Sequence, residues 1–484
     1  MQKRMRILFA AAEASPFVKV GGLGDVAGSL PAALKAISPE SIDIRVVMPF
    51  HQVVQDKFPS MESLGSFELS LGDTTEKIQV FTSESSGIPF YFLDNHNFVK
   101  HPAVYARDPE LDGLKYAIFS IALLEMARFL KWKVDILHAN DWHTALAVAA
   151  LKDQYASDPF FINTKSILTI HNLPFNGYGA QSAMQSVGFT PSGDQDLPGW
   201  ARYTPLPMGI QTSDKVVFVS KGYAAEVMNK EMGSGLDDYL QLHTDKIYGI
   251  VNGIDTKYWD PATDPYIPVP YHIKDMAGKL ANKANLQAEL GFIVNEGIPL
   301  LSVVSRLDVQ KGLSLLLDGL GRIIDLPWQL ALLGTGDPLL EEKARELQKT
   351  YPYRIRTEIK YDEALAHKLY AASDIFLMPS IYEPCGLSQM IAMRYGTIPI
   401  ARATGGLVDT INDFSADPES STGFLFESKT PEGFVEAMRF ALQVYTDIPI
   451  WRRLQHNAMM ADFSWQTSAH EYLEMYQSLF SNEA

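Results

Sequence analysis

Two segments far apart in the chain share one pattern. Lys19-Val20-Gly21-Gly22-Leu23-Gly24-Asp25 lies near the start and Thr404-Gly405-Gly406-Leu407-Val408-Asp409 far downstream; in each a glycine pair precedes an apolar residue and an aspartate at the expected start of a helix. Paired glycines let backbone amides approach a ligand closely, and a helix N-terminus favours anions. One such device in each half predicts two α/β domains gripping a single negatively charged ligand, an arrangement suited to a nucleotide-diphosphate sugar. Lys19 adds an ammonium beside the first set of amides. In Ser305-Arg306-Leu307 running to Lys311-Gly312, Arg306 and Lys311 flank a strand-to-helix loop and Gly312 opens the helix. Two cations at such a terminus can neutralise a diphosphate leaving group without a metal; a solvated pair of charges is the bland alternative.

Other residues suit hydroxyl groups. Glu383, in Tyr382-Glu383-Pro384-Cys385-Gly386-Leu387, follows an expected strand and can accept hydrogen bonds from vicinal sugar hydroxyls, although a buried carboxylate can equally be an ion-pair partner. Asn140-Asp141-Trp142-His143 sits at another strand end, where ligands of parallel sheets collect. There Asp141 could orient a hydroxyl, Trp142 could stack or fill the core, and His143 could merely cap the next helix. His171, in His171-Asn172-Leu173-Pro174, follows a third strand. Tyr361 could stack on a nucleobase or pack on a sheet edge. Asp194-Gln195-Asp196 has the spacing of a metal-binding pair, but no strand precedes it and two nearby acids are common by chance.

Positioning these residues needs parallel sheets. Apolar runs at 7–11, 44–48, 136–138, 166–170 and 216–219 alternate with helix-period segments at 25–36, 114–129 and 144–152, and 67–93 reads as an inserted hairpin. The pattern restarts with strands at 299–305, 329–333, 354–359, 374–378 and 398–401, and helices at 312–324 and 338–349. With 484 residues the chain exceeds one ordinary core. The expected division is a Rossmann-like domain over 1–250, a linker at 249–257, a second Rossmann-like domain over 258–455, and a helical segment over 456–484 packing back on the first domain. A helix that simply finishes the second domain is the competing reading of that last segment.

Composition narrows the partners. A balance of 41 basic against 57 acidic residues, net −16, argues against a nucleic-acid footprint or affinity for an anionic membrane. The single cysteine, Cys385, excludes an intrachain disulfide and fits a reducing compartment. Residues 7–12 are too short an apolar run for a secretory signal, are closed by Glu13, and read as a buried first strand. The expected location is the cytoplasm.

Taken in order, these segments resemble the bacterial glycogen synthase and plant starch synthase family from Ile7 to about Tyr476. Lys19-Val20-Gly21-Gly22-Leu23 is similar to the family's K-x-G-G-L. Asp141-Trp142-His143, His171-Asn172-Leu173, Val251-Asn252-Gly253-Ile254-Asp255, Ser305-Arg306-Leu307 with Lys311-Gly312, Glu383-Pro384-Cys385-Gly386-Leu387, Thr404-Gly405-Gly406-Leu407 and Phe463-Ser464-Trp465 follow in sequence.

The resemblance implies a GT-B fold, two doubly wound domains facing across a deep cleft, and retaining transfer of glucose from ADP-glucose to the 4-hydroxyl at a glucan's non-reducing end. It implies that Arg306 and Lys311 hold the diphosphate, helped by amides near Gly21 and Gly22 and around Thr404, Gly405, Gly406 and Leu407, that Lys19 contacts the donor, and that Tyr361 packs on adenine. His171, Asn252, Glu383 and the backbone of Cys385, Gly386 and Leu387 would hold the glucose, with Asp141 near the reacting face. It calls for no cofactor and no metal; the leaving phosphate acts as base on the front face. Where many related transferases have a second glutamate this chain has Ile391, and Phe50-His51, Lys115-Tyr116 and the segment from Gln241 to Lys246 also depart from the usual pattern. The last three fall in the first domain and bear on the acceptor. Competing readings are a UDP-glucose-dependent glucan synthase, a sugar-nucleotide epimerase of the same architecture, and a non-catalytic nucleotide-sugar binder.

Overall fold

The computed structural model describes residues 4–72, 74–106 and 108–481. The chain divides into two compact units. One takes in residues up to Gly253 together with those from Trp465 on, and the other is Ile254–Ser464. The first edge therefore lies at Gly253 rather than 250. Residues 456–464 stay with the second unit, because the helix Ile448–Met460 packs there on the helices Ser388–Arg394 and Pro431–Tyr445.

The first unit holds nine strands: β1 (Met5–Ala10), β2 (Ile42–Pro49), β3 (Glu62–Leu71), β4 (Thr74–Ser85), β5 (Ile88–Asp94), β6 (Ile136–Asn140), β7 (Lys165–Ile170), β8 (Lys215–Phe218) and β9 (Ile247–Gly249). They lie in the order β3-β4-β5-β2-β1-β6-β7-β8-β9, parallel except for the two pairs that involve β4. β1, β6 and β7 are near-continuous apolar runs because helices cover both faces of a parallel sheet. The expected insertion is longer than its sequence signal, starting at Glu62. β4 turns into β5 through Ser86-Gly87, both at positive φ, the twist a two-residue hairpin turn demands. The helix Trp465–Ser478 packs along the first helix, Gly22–Ile37, and its Tyr476 hydroxyl lies 2.7 Å from Nδ1 of His138 in β6.

The second unit is a six-stranded parallel sheet of β10 (Leu300–Val304), β11 (Gln329–Leu333), β12 (Ile355–Glu358), β13 (Ile375–Met378), β14 (Ile398–Arg402) and β15 (Phe424–Phe426). Its order is β12-β11-β10-β13-β14-β15. Numbered within the unit this is 3-2-1-4-5-6, the doubly wound order with a switch point between its first and fourth strands. With the β3–β4 insertion set aside, the first unit repeats that order around β1 and β6. The single helix expected over 312–324 is a helix Leu313–Gly319 followed by a 3-10 turn at Leu320–Ile323. Gly319 and Gly321 weaken the helix there, and a Cβ at Gly319 would come 2.9 Å from the Phe434 ring. Among the described residues no helix is long and apolar enough to cross a membrane.

Candidate active site

Both switch points carry the chemistry-bearing residues. In the first unit β1 runs into the loop that bears Glu13, Lys19, Gly21 and Gly22, and β6 runs into Asp141. Glu13 is buried, and its carboxylate accepts hydrogen bonds from the amides of Val20 and Gly21, the latter at 3.1 Å, and from the Tyr105 hydroxyl at 3.1 Å. Burial pushes this carboxyl above its ordinary range. Lys19 Nζ lies 2.8 Å from Asp25 on the first turn of the helix that Gly21 caps. A Cβ placed on Gly22 would meet nothing within 4 Å, so no protein neighbour requires glycine at this position.

Asp141 adopts φ 57° and ψ −176°, a region almost confined to glycine. Such a residue carries about 1–3 kcal/mol of backbone strain and persists only where its surroundings dictate it. Its Oδ1 accepts the His171 amide at 2.7 Å. Burial lifts the Asp141 carboxyl to about 7, opposed by the amides of His171 and Asn172 and reinforced by Glu13. Asn140 Nδ2 donates to the Ala10 carbonyl, so its Oδ1 accepts from His171 Nε2 at 3.0 Å. That bond fixes the proton of His171 on Nε2, and burial holds the imidazole neutral, with its pKa lowered to about 3. Two buried side-chain oxygens nearby in sequence to these motifs, Oδ1 of Asn172 and Oδ1 of Asn252, have no hydrogen-bond partner among the described residues. Each could accept a ligand hydroxyl. His143 instead lies in an aromatic pack with Tyr105, Tyr116 and Trp142.

In the second unit a cavity of about 200 Å³ opens at the switch point, lined by residues at the ends of β10 and β13 with Arg306, Lys311, Ser380 and Ser388. Lys311 Nζ sits 2.8 and 2.7 Å from the two oxygens of buried Glu383, whose Oε2 also accepts the Ser380 hydroxyl at 2.9 Å. Lys311, expected on a phosphate, is thus also the part-buried ion-pair partner of a buried carboxylate. Arg306 is exposed and reaches Asp308 at 3.0 Å. Gly312 has φ 64°, and a Cβ there would run into the Pro379 carbonyl, so the loop carrying Arg306 and Lys311 is seated directly on the end of β13.

The downstream glycine pair has a different setting from the first. A Cβ on Gly405 would collide with the Glu383 carbonyl and one on Gly406 with the Cys385 carbonyl. The Gly406 amide donates to Glu383 O at 3.0 Å, and the Leu407 amide to Thr404 O at 3.0 Å. These amides, expected to face phosphate, bind the protein's own backbone. Gly386 has φ 74°, and buried Gln389 clamps the same loop from its Nε2 to the carbonyls of Cys385 and Gly386 and to the Thr410 hydroxyl. Cys385 is buried, Leu387 caps the helix Ser388–Arg394, and Tyr361 is 84% exposed, packed on no sheet edge. Asp194 accepts the Tyr239 hydroxyl at 3.2 Å. Among the described residues no group of three His, Cys, Asp or Glu could hold a metal.

Sequence reasoning assigned no role to Glu13 or Gln389. Glu13 did leave a signal, a carboxylate placed directly after six apolar residues of a buried strand. Gln389 left none, because its partners are two backbone carbonyls and a hydroxyl 21 residues on, brought together only by the fold.

A sequence model described as the starch synthase catalytic domain matches residues 6–242, and one described as glycosyl transferases group 1 matches 291–455. The chain is 39% identical to a glycogen synthase of Streptococcus pneumoniae (strain 70585) over 480 residues, covering 98% of this chain and all of that protein. A Streptococcus gordonii glycogen synthase matches at the same identity and coverage. The catalytic domain of starch synthase IV from Arabidopsis thaliana, solved with ADP and acarbose, superposes with a TM-score of 0.89 at 33% identity over 99% of this chain and all of that one. Two doubly wound units of the GT-B class, both family models in order, and near-complete coverage at this identity together make the chain a member of the glycogen and starch synthase family of glycosyltransferases.

Proposed function

We propose that this glycosyltransferase moves glucose from ADP-glucose to the non-reducing 4-hydroxyl of an α-1,4-glucan with retention of configuration. The observation that carries the reading is that the two cations lining the switch-point cavity, Arg306 and Lys311, stand beside a hydroxyl acceptor, Lys311 Nζ lying within 2.8 Å of Glu383. Departure of ADP puts charge on the β-phosphate. Arg306 and Lys311 supply fixed positive charge, which favours the transition state over the ground state. Glu383 accepts hydrogen bonds from glucose hydroxyls, and exposed Tyr361 offers a face to the adenine. In the first unit Lys19 and the open backbone at Gly22 serve the donor. His171, Asn252 and Asp141 serve the transferred sugar, His171 as an uncharged hydrogen-bonding group. The departing phosphate takes the proton of the incoming hydroxyl on the same face. The ADP in the starch synthase IV structure supports adenine as the base.

The test is direct. Purified protein is supplied with ADP-glucose or UDP-glucose, with and without glycogen, and nucleotide release and chain growth are followed. Glycogen-dependent release of ADP with matching chain growth is expected. Release indifferent to glucan would refute a synthase, and preference for UDP-glucose would refute the donor.

A further inference from the structure

The amides of Val20 and Gly21, in the loop whose glycines prepare it for an anion, are already occupied by a carboxylate of the same chain. Glu13 is 2% exposed and spans the loop, its two oxygens taking the Val20 amide, the Gly21 amide at 3.1 and 3.2 Å, and the Tyr105 hydroxyl at 3.1 Å. On the near side the loop is closed by Val18 N donating to Ala14 O at 3.0 Å. Glu13 therefore shapes the loop from within, leaving Gly22 to face open space.

Tyr105 is itself held in place. The carbonyl of the preceding residue, Val104, accepts both Lys115 Nζ at 2.9 Å and the Tyr116 hydroxyl at 2.8 Å, while the amide of the following residue, Ala106, donates to Asp112 at 3.0 Å. All three partners stand on the helix Pro109–Phe129. Lys115-Tyr116 is also the pair that departs from the family pattern. The Tyr116 hydroxyl supplies the second donor to that carbonyl, which a phenylalanine could not.

We propose that Glu13 is a positioning residue that latches the glycine loop for the nucleotide-sugar donor, and that Lys115 and Tyr116 set the latch through Val104 and Tyr105. This rests on the donor reading given above. It moves the effect of the Lys115-Tyr116 departure from the acceptor to the donor loop.

Steady-state kinetics with each substrate varied in turn tests it, alongside hydrogen exchange of peptides covering 15–24. Glu13→Gln keeps the side chain's shape but loses one of the two acceptor oxygens. It raises the KM for ADP-glucose about tenfold, the scale of one lost charge-assisted hydrogen bond. Its glucan KM stays within about twofold, and the Val20 and Gly21 amides exchange faster. Tyr105→Phe, which removes a single hydroxyl and keeps the ring packing, raises the donor KM about threefold. Because the two groups act in series, the double variant matches Glu13→Gln alone. An unchanged donor KM in Glu13→Gln, a glucan KM that rises in step, or single effects that multiply in the double variant would each overturn the latch. A wild-type protein whose rate does not saturate with nucleotide-sugar would overturn the functional reading and the latch together. Saturation in the wild type beside an unaltered Glu13→Gln would overturn the latch alone.

Discussion

Gly21-Gly22 and Gly405-Gly406 look alike in sequence, and the structure puts them under opposite constraints. At Gly22 an added methyl would meet no atom of another part of the chain within 4 Å, so no packing neighbour demands glycine there. At Gly405 and Gly406 the demand comes from inside, because the backbone lies against the carbonyls of Glu383 and Cys385. The contrast extends to the charges. Part-buried Lys311 reaches the buried carboxylate of Glu383, whereas Lys19 pairs with Asp25 in a more exposed setting. The glycine pair of the second unit is locked by its own packing, while in the first Glu13 takes the Val20 and Gly21 amides and Gly22 alone faces open space. A glycine pair before a helix therefore marks close approach, and only the tertiary structure says whether the approaching group is ligand or protein.

The largest expected effect strikes the locked side. Lys311→Ala leaves Glu383 buried without its cation and should cost about 3–5 kcal/mol, the scale for stranding one charge of a buried pair, read as a lower urea midpoint together with a loss of turnover. Stability near wild type would show that water reaches Glu383 and that the lock is illusory. Next comes Gly406→Ala, whose new methyl would lie 2.5 Å from the Cys385 Cα. A loss of roughly 2–3 kcal/mol is expected, typical of overpacking, with the loop at 385–387 displaced. Calorimetry at matched pH checks it.

Asp141→Asn probes the open side through pH. Burial pushes the folded carboxyl up to about 7, well above the ordinary range of an aspartate, so the native state holds this proton more tightly than the unfolded chain. Its stabilising contribution is complete below the unfolded value and disappears as pH rises through about 7. The variant should equal the wild type below that window and exceed it in stability above, while losing activity; parallel stability curves would contradict the assignment. The smallest stability effect belongs to Gly22→Ala, expected within about 0.5 kcal/mol of wild type while the donor KM rises. If this variant unfolds easily, or binds donor normally, the two glycine pairs are not the opposites described.

Much of the frame was legible in the sequence. Buried parallel strands such as 375–378 announce themselves as unbroken apolar runs, and turn residues mark the strand ends where Asp141, His171 and Glu383 appear. β9 and β15 were missed because each has only three residues, too few to establish a period. The ion pair of Lys311 with Glu383, 72 residues apart, and the inward-facing amides at Gly406 were not legible. Residue type tells what a group can bind, but which partner it meets is set by sheet order. The same holds for Glu13, which reads locally as the end of a strand and acts through amides seven and eight residues on.

The last helix of the chain lies along the first, and this has a consequence for synthesis. Leu23, Val26, Leu30 and Leu34 belong to a helix whose companion, Trp465–Ser478, leaves the ribosome more than four hundred residues later. At ordinary translation speeds of about 5–20 residues per second, the first unit waits on the order of 20–90 s for its final piece, while Ile254–Ser464 has all its residues before then. The later-made unit is thus the first to be complete, and a chain that stops short of Trp465 would strand the imidazole of His138 without the phenol of Tyr476.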